Sequence, residues 1–298
     1  MPGGQEQILR RRIKSVQATQ KITRAMELIA ASQIVRAQGR IAGAAPYLNG
    51  IADVLAEAAA DAGATAGRVL GVPESPERVL VVAIVADRGL CGGYNANVLR
   101  PIERLVRTNA APGAEYRLVS SGRKALSFFR FRHIEMETSF VGFSDRPTFE
   151  DARAIAAAIT PPFLEEQVDQ VLIVSTRFLS AGTQVVETRQ LLPLPEPTGD
   201  EERPRTAGYT EFEPESPELL VELVPRYVEA AVFGALLEAS ASEHTARQRA
   251  MAAATDNADD LVKNLTRVMN RARQDAITTE IMEIVGGAEA LRQSSDSD

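Results

Sequence analysis

Tryptophan is absent from this 298-residue chain, cysteine occurs once and histidine twice. A single cysteine, Cys91, cannot close an internal disulfide, and with only His133 and His244 beside it the sequence offers a poor ligand supply for zinc. No G-x-S-x-G, H-E-x-x-H or C-x-x-C occurs, so the familiar hydrolase, metalloprotease and dithiol signatures are missing. Long apolar runs are missing too. The longest, residues 79–86, falls far short of the roughly 20 residues a membrane helix needs, and the first six residues hold no apolar signal core. The chain is therefore expected to be neither secreted nor membrane-spanning. A formal net charge of −7 excludes binding of nucleic acid or anionic membrane by bulk electrostatics. The 45% of hydrophobic residues is enough for a real core in one or two domains.

The charge is unevenly spread. Residues 1–41 carry Arg10, Arg11, Arg12, Lys14, Lys21, Arg24, Arg36 and Arg40 against Glu6 and Glu27. Residues 5–38 lack proline and glycine, and apolar or small residues recur at three- and four-residue steps through Ile13, Val16, Ile22, Met26, Ile29 and Ile34, which predicts one long helix. Whether it runs on past Gly43 and Pro46 is open; its expected segment is 1–62. The C-terminal segment, 218–298, is rich in alanine, glutamate and arginine, with a small-residue seam through Ala235, Ala239, Ser242, Ala246, Ala250 and Ala253. Gly286 and Gly287 read as its stop. Between the helices, residues 76–194 hold short β-branched runs at 78–86, 116–120, 168–175 and 184–192, the first three separated by helical stretches at 95–108, 123–131 and 149–158. That alternation predicts an α/β domain with a doubly wound, mostly parallel sheet, the last strand pairing antiparallel at an edge. Residues 195–217 are a proline- and acid-rich linker.

Helix length is the physical oddity. At about 1.5 Å per residue, residues 226–285 alone would span roughly 90 Å, whereas a compact chain of this size is about 50 Å across. Two projecting helices can cover each other's seams as a long antiparallel coiled coil, but an alanine and serine seam buries little apolar area per turn. A surrounding partner is the natural consequence.

Chemistry-bearing constellations are few. The segment DRGLCGGYN (87–95) lies between strand and helix, where phosphate loops occur, but it lacks both G-x-G-x-x-G and a glycine-Lys-Ser/Thr ending. A conformationally special turn competes there with nucleotide binding. Cys91 reads either as a nucleophile at a helix N-terminus or as a small buried apolar residue. The basic N-terminal helix has no aromatic residue before Tyr47, so a solvated face or complementarity to an acidic protein suits it better than nucleic acid. Arg273, Gln274 and Thr278 form a donor-rich side on a helix otherwise built of alanine.

ITRAMELIAASQI (22–34), DRGLCGGYN (87–95), ASEHTARQRAMAAATDNADDL and NRARQDAITTEIMEIVGGAEAL near the C-terminus resemble the gamma-subunit family of F-type ATP synthases. The resemblance implies a central rotor, in which proton-driven rotation of the c-ring turns an antiparallel coiled coil inside the hexamer of alpha and beta subunits, with the α/β domain resting on the epsilon subunit and the c-ring. It implies a non-catalytic subunit, without cofactor, nucleic acid or small-molecule substrate of its own, peripheral on the cytoplasmic face of a bacterial plasma membrane. By matching position, Arg273, Gln274 and Thr278 would face a beta-subunit catch region, Arg24 and Met26 would occupy the corresponding stretch of the N-terminal helix, and the loop around Cys91 would face acidic levers of beta. The lone Cys91 excludes the thiol control of the chloroplast members, which carry an inserted cysteine pair. The alternative from another class is a nucleotide-dependent α/β enzyme whose helical arms dimerise it.

Overall fold

The computed structural model describes residues 2–62, 69, 76–108, 114–194 and 216–295. The elements are α1 (Pro2–Ala62), β1 (Arg78–Ile84), α2 (Tyr94–Thr108), β2 (Glu115–Ser121), α3 (Arg123–Phe131), β3 (Thr138–Phe140), α4 (Phe149–Leu164), β4 (Gln170–Phe178), β5 (Gln184–Leu192) and α5 (Ser216–Ser295). All but the last two residues of the expected linker lie outside the described residues. The chain divides into two compact units, one of Met1–Ile29 with Arg249–Asp298 and one of Ala30–Gln248.

In the larger unit the sheet order is β3-β2-β1-β4-β5, parallel except for β5, which pairs antiparallel with β4 as expected at an edge. Central strand β1 is apolar from Val79 to Ile84 because both its faces are covered. Leu80, Val82 and Ile84 face one core with α4 residues Ile155 and Ile159, the end of α1 at Leu55, and α5 residues Val224 and Val228. The alternate residues Val79, Val81 and Ala83 face the other, with Val98 and Ile102 of α2 and Phe129 of α3. Period-two alternation thus serves two cores rather than a core and solvent. The three-residue β3 was not expected from the sequence: a strand this short at an edge carries no periodicity to read.

Both long helices pass through signals that ordinarily stop one. Pro46 and Pro225 sit inside α1 and α5. The lost backbone hydrogen bond is offset by packing, since Tyr47 stacks edge-on against Phe149 at 6.3 Å and Val224 and Val228 are fully buried. Gly286 and Gly287 do not end α5, contrary to the expected stop. Neither takes the left-handed conformation of a C-terminal cap, and the helix runs on to Ser295. In the larger unit α1 and α5 approach closely where Gly234 meets Leu48; a Cβ at 234 would stand 3.1 Å from the Leu48 Cδ1.

The smaller unit is a pair of antiparallel helices. Thr23 and Thr255 share a hydroxyl hydrogen bond of 2.8 Å, and one turn earlier on α1, Gln20 hydrogen-bonds Asp259, one turn later on α5. Among its described residues only Leu9, Thr23, Met251 and Ala258 are buried, the thin seam that alanine-rich helices produce.

Candidate functional site

Between β1 and β4 the strand order reverses, and in doubly wound sheets the crevice outside the carboxyl ends at such a point is where ligands bind. Here the chain fills it with its own helix. The Tyr94 hydroxyl donates to the Ala239 carbonyl of α5 at 3.0 Å, the Ser242 hydroxyl to the Thr176 carbonyl at 3.4 Å and the Ser240 hydroxyl to the Asp145 carbonyl at 3.0 Å. Beside them Glu243 Oε1 and Arg247 Nη2 form an ion pair of 2.5 Å, and Arg247 also donates to the Gly89 carbonyl at 3.4 Å. Asp145 lies 3.2 Å from Arg88 and 3.9 Å from Arg247. Burial pushes the Glu243 carboxyl and the Tyr94 hydroxyl up, Arg247 pulling the other way at both, and lowers His244. Side chains of α5 thus lie at the carboxyl ends of β1 and β4, and the helix is bonded to the strand-to-helix turn at 87–95 through Tyr94 and Gly89.

Asp87 organises that turn. One carboxylate oxygen accepts from the Arg123 N–H at 3.0 Å and the other from Gly142 and Ser144 at 2.9 and 3.0 Å, while its own N–H donates to the Ser144 hydroxyl. Burial alone would raise its carboxyl, but the backbone donors outweigh it and hold the group below the usual carboxylate range. Asp87 therefore ties the loop after β1 to the start of α3 and the loop after β3. Gly122, at φ 104, allows this approach: a Cβ there would stand 2.2 Å from the Val85 carbonyl oxygen.

Cys91 is 1% exposed, packed with Ala86, Tyr94 and Ala246, and its Sγ accepts from Asn95 Nδ2 at 3.1 Å. Burial raises its thiol, which disfavours the nucleophilic thiolate. The reading as a small buried apolar residue holds. Any contact made by this loop falls to its exposed members, Leu90 and Arg88, rather than to the thiol itself.

The remaining sequence-selected residues lie in the smaller unit. Arg273, Gln274 and Thr278 are all exposed on α5, with Gln274 bordering an open concavity that Thr266, Asn270 and Arg271 also line. Arg24 is exposed and pairs with Glu27 at 3.0 Å, and Met26 is half-buried. Sequence reasoning missed Glu243 and Arg247; the available signal was a pair of opposite charges one turn apart in an alanine seam. Among the described residues no group of three or more His, Cys, Asp or Glu is placed to hold a metal ion, and no helix is long and apolar enough to cross a membrane.

A family model described as ATP synthase matches residues 5–291. The chain is 47% identical to the ATP synthase gamma chain of Parafrankia sp. (strain EAN1pec), covering 97% of this chain and 98% of that one. With the ATP synthase gamma chain of Mycolicibacterium vanbaalenii it shares 45% identity, covering 95% and 96%. Its fold is similar to a chain of the Tetrahymena thermophila mitochondrial ATP synthase central stalk and c-ring, with a TM-score of 0.60 at 25% identity over 78% of this chain and 99% of that one. A chain of the Euglena gracilis mitochondrial ATP synthase gives 0.69 at 18% identity over 98% and 96%. Matched by the family model over residues 5–291 and by gamma chains at 45% and 47% identity over nearly its full length, the chain belongs to the ATP synthase gamma-chain family.

Proposed function

We propose that this chain is the central rotor of an F-type ATP synthase, turning with a c-ring and passing torque to catalytic beta subunits, with the reverse flow during ATP hydrolysis. The observation that carries this is the smaller unit's deficit of burial. Two helices that bury four described residues between them leave Ile22, Leu28, Ile277, Ile281 and Met282 exposed, which suits a shaft enclosed by other subunits. The enclosing partners are the alpha and beta subunits; epsilon and the c-ring are the partners of the sheet unit. Arg273, Gln274 and Thr278, with Arg24 and Met26, meet beta, as does the turn around Cys91 through its exposed residues. The subunit is non-catalytic, in keeping with a filled switch-point crevice, and works peripherally on the cytoplasmic face of the bacterial plasma membrane.

Purification of an affinity-tagged chain from its native membranes tests the reading. Recovery of alpha and beta subunits with ATPase activity that the isolated chain lacks is the expected result; activity intrinsic to the purified chain would overturn it and favour the enzyme alternative.

A further inference from the structure

One face of the larger unit departs from the chain's acidic balance. Residues 94–134 hold eight Arg or Lys against Glu103 and Glu115, in a molecule whose net charge is −7. The inward sides of α2 and α3 are consumed by the core through Val98, Ile102, Ala125 and Phe129. Their outward sides are basic. Arg100, Arg104 and Arg107, spaced i, i+4 and i+7, form one exposed stripe along α2, and Lys124 and Arg130 are exposed on α3. Glu103, the acid among them, is drawn inward, with its side chain 17% exposed, where it binds Arg132 at 3.2 Å and Arg107 at 3.5 Å. Arg107 also donates to the Arg132 carbonyl at 3.2 Å, so the C-terminal ends of the two helices are clamped together. Beside this clamp Phe131 is 78% exposed, more than any other large apolar side chain described.

We infer that the α2–α3 face is a docking surface for an acidic protein partner, with Phe131 as its apolar anchor and the arginine stripe as its charge complement. An exposed aromatic flanked in sequence by Arg130 and Arg132, beside a helix that carries an arginine stripe, has the composition of a protein interface centre. A bilayer suits the face less well, because exposed Glu115 and Glu135 at the amino ends of β2 and β3 adjoin it and would meet the same anionic sheet. The inference rests on the rotor reading in one respect. A lasting contact with a stationary body would be torn at each turn, so the partner is one that rotates with this chain.

The test places photoreactive benzoylphenylalanine at position 131 in the assembled complex and identifies the adduct by mass spectrometry, with and without Arg100→Glu and Arg130→Glu. The expected result is an adduct to an acidic segment of one subunit of the same purified complex, with a yield reduced about tenfold by the two reversals or by high salt. An adduct to lipid, to nucleic acid or to a second copy of this chain would overturn the assignment, as would a yield indifferent to charge or the absence of any adduct. Alpha and beta content of the same preparation is scored separately. Its loss in the unsubstituted complex would refute the rotor reading, while the identity and charge dependence of the adduct still decide this one.

Discussion

Glu243 and Arg247 stand one turn apart on α5 with 2.5 Å between carboxylate and guanidinium, and their side chains are 1% and 9% exposed. Two charges so deeply buried stabilise a fold only while paired, because desolvation of either alone is expensive. Arg247→Ala should therefore lower the stability of the larger unit by about 3–5 kcal/mol, leaving Glu243 uncompensated. The double change Glu243→Gln with Arg247→Met should cost less than the sum of the singles. Urea unfolding followed by circular dichroism reads both, and additive effects would show that the pair is not coupled.

Asp87 predicts a pH dependence whose sign follows from its depressed carboxyl. A carboxylate held lower in the folded chain than in the unfolded one contributes stability that is fully present above the ordinary value of about 3.9 and is lost as pH falls through the folded value. Asp87→Asn, which replaces a charged acceptor of three N–H groups by a weaker one, should cost about 1–3 kcal/mol at neutral pH, a range reduced for the group's partial exposure. The variant should also lose part of its acid sensitivity below pH 4. Equal acid slopes in the two proteins would remove Asp87 from the account.

Glycine substitutions separate a tight turn from an open helix. Gly122→Ala should destabilise by about 2–4 kcal/mol, since its Cβ would meet the Val85 carbonyl at 2.2 Å in a backbone conformation that L residues rarely adopt. Gly287→Ala has nothing within 4 Å and should instead raise helix stability by roughly 0.5–1 kcal/mol. Thermal melts of the two variants should move in opposite directions.

Coupling is expected to reside in the exposed donors of α5. Arg273→Ala or Gln274→Ala should slow ATP hydrolysis and synthesis by about ten- to a hundred-fold, the range for losing a charge-assisted hydrogen bond made in one rotary state, while the complex stays assembled. Wild-type rates in both variants would show that these side chains do not set the limiting step.

The sheet was legible from the sequence because its strands are β-branched runs separated by helices, and the N-terminal helix because residues 5–38 hold neither proline nor glycine. What local rules misread was the C-terminal stop, since Gly286–Gly287 read as one although neither takes the cap conformation, while Pro46 and Pro225 lie inside the expected helical segments and are carried through by tertiary packing. The turn at 87–95 was recognisable as special, but its purpose was not, since the groups that explain it, Glu243 and Arg247, lie some 150 residues away in sequence and meet it only in the fold. Exposed Arg273, Gln274 and Thr278 stood out by composition alone, whereas the burial of Cys91 appears only in three dimensions.

The rotor account is tested most directly by watching the chain turn. Buried Cys91 leaves the thiol chemistry to an introduced Leu179→Cys, which is 55% exposed on the native side chain, so that a bead can be attached there specifically. With the alpha–beta assembly fixed to a surface and ATP supplied, the account predicts continuous rotation of the bead in one direction; a complex that hydrolyses ATP at full rate while its bead, firmly attached, does not turn would contradict it.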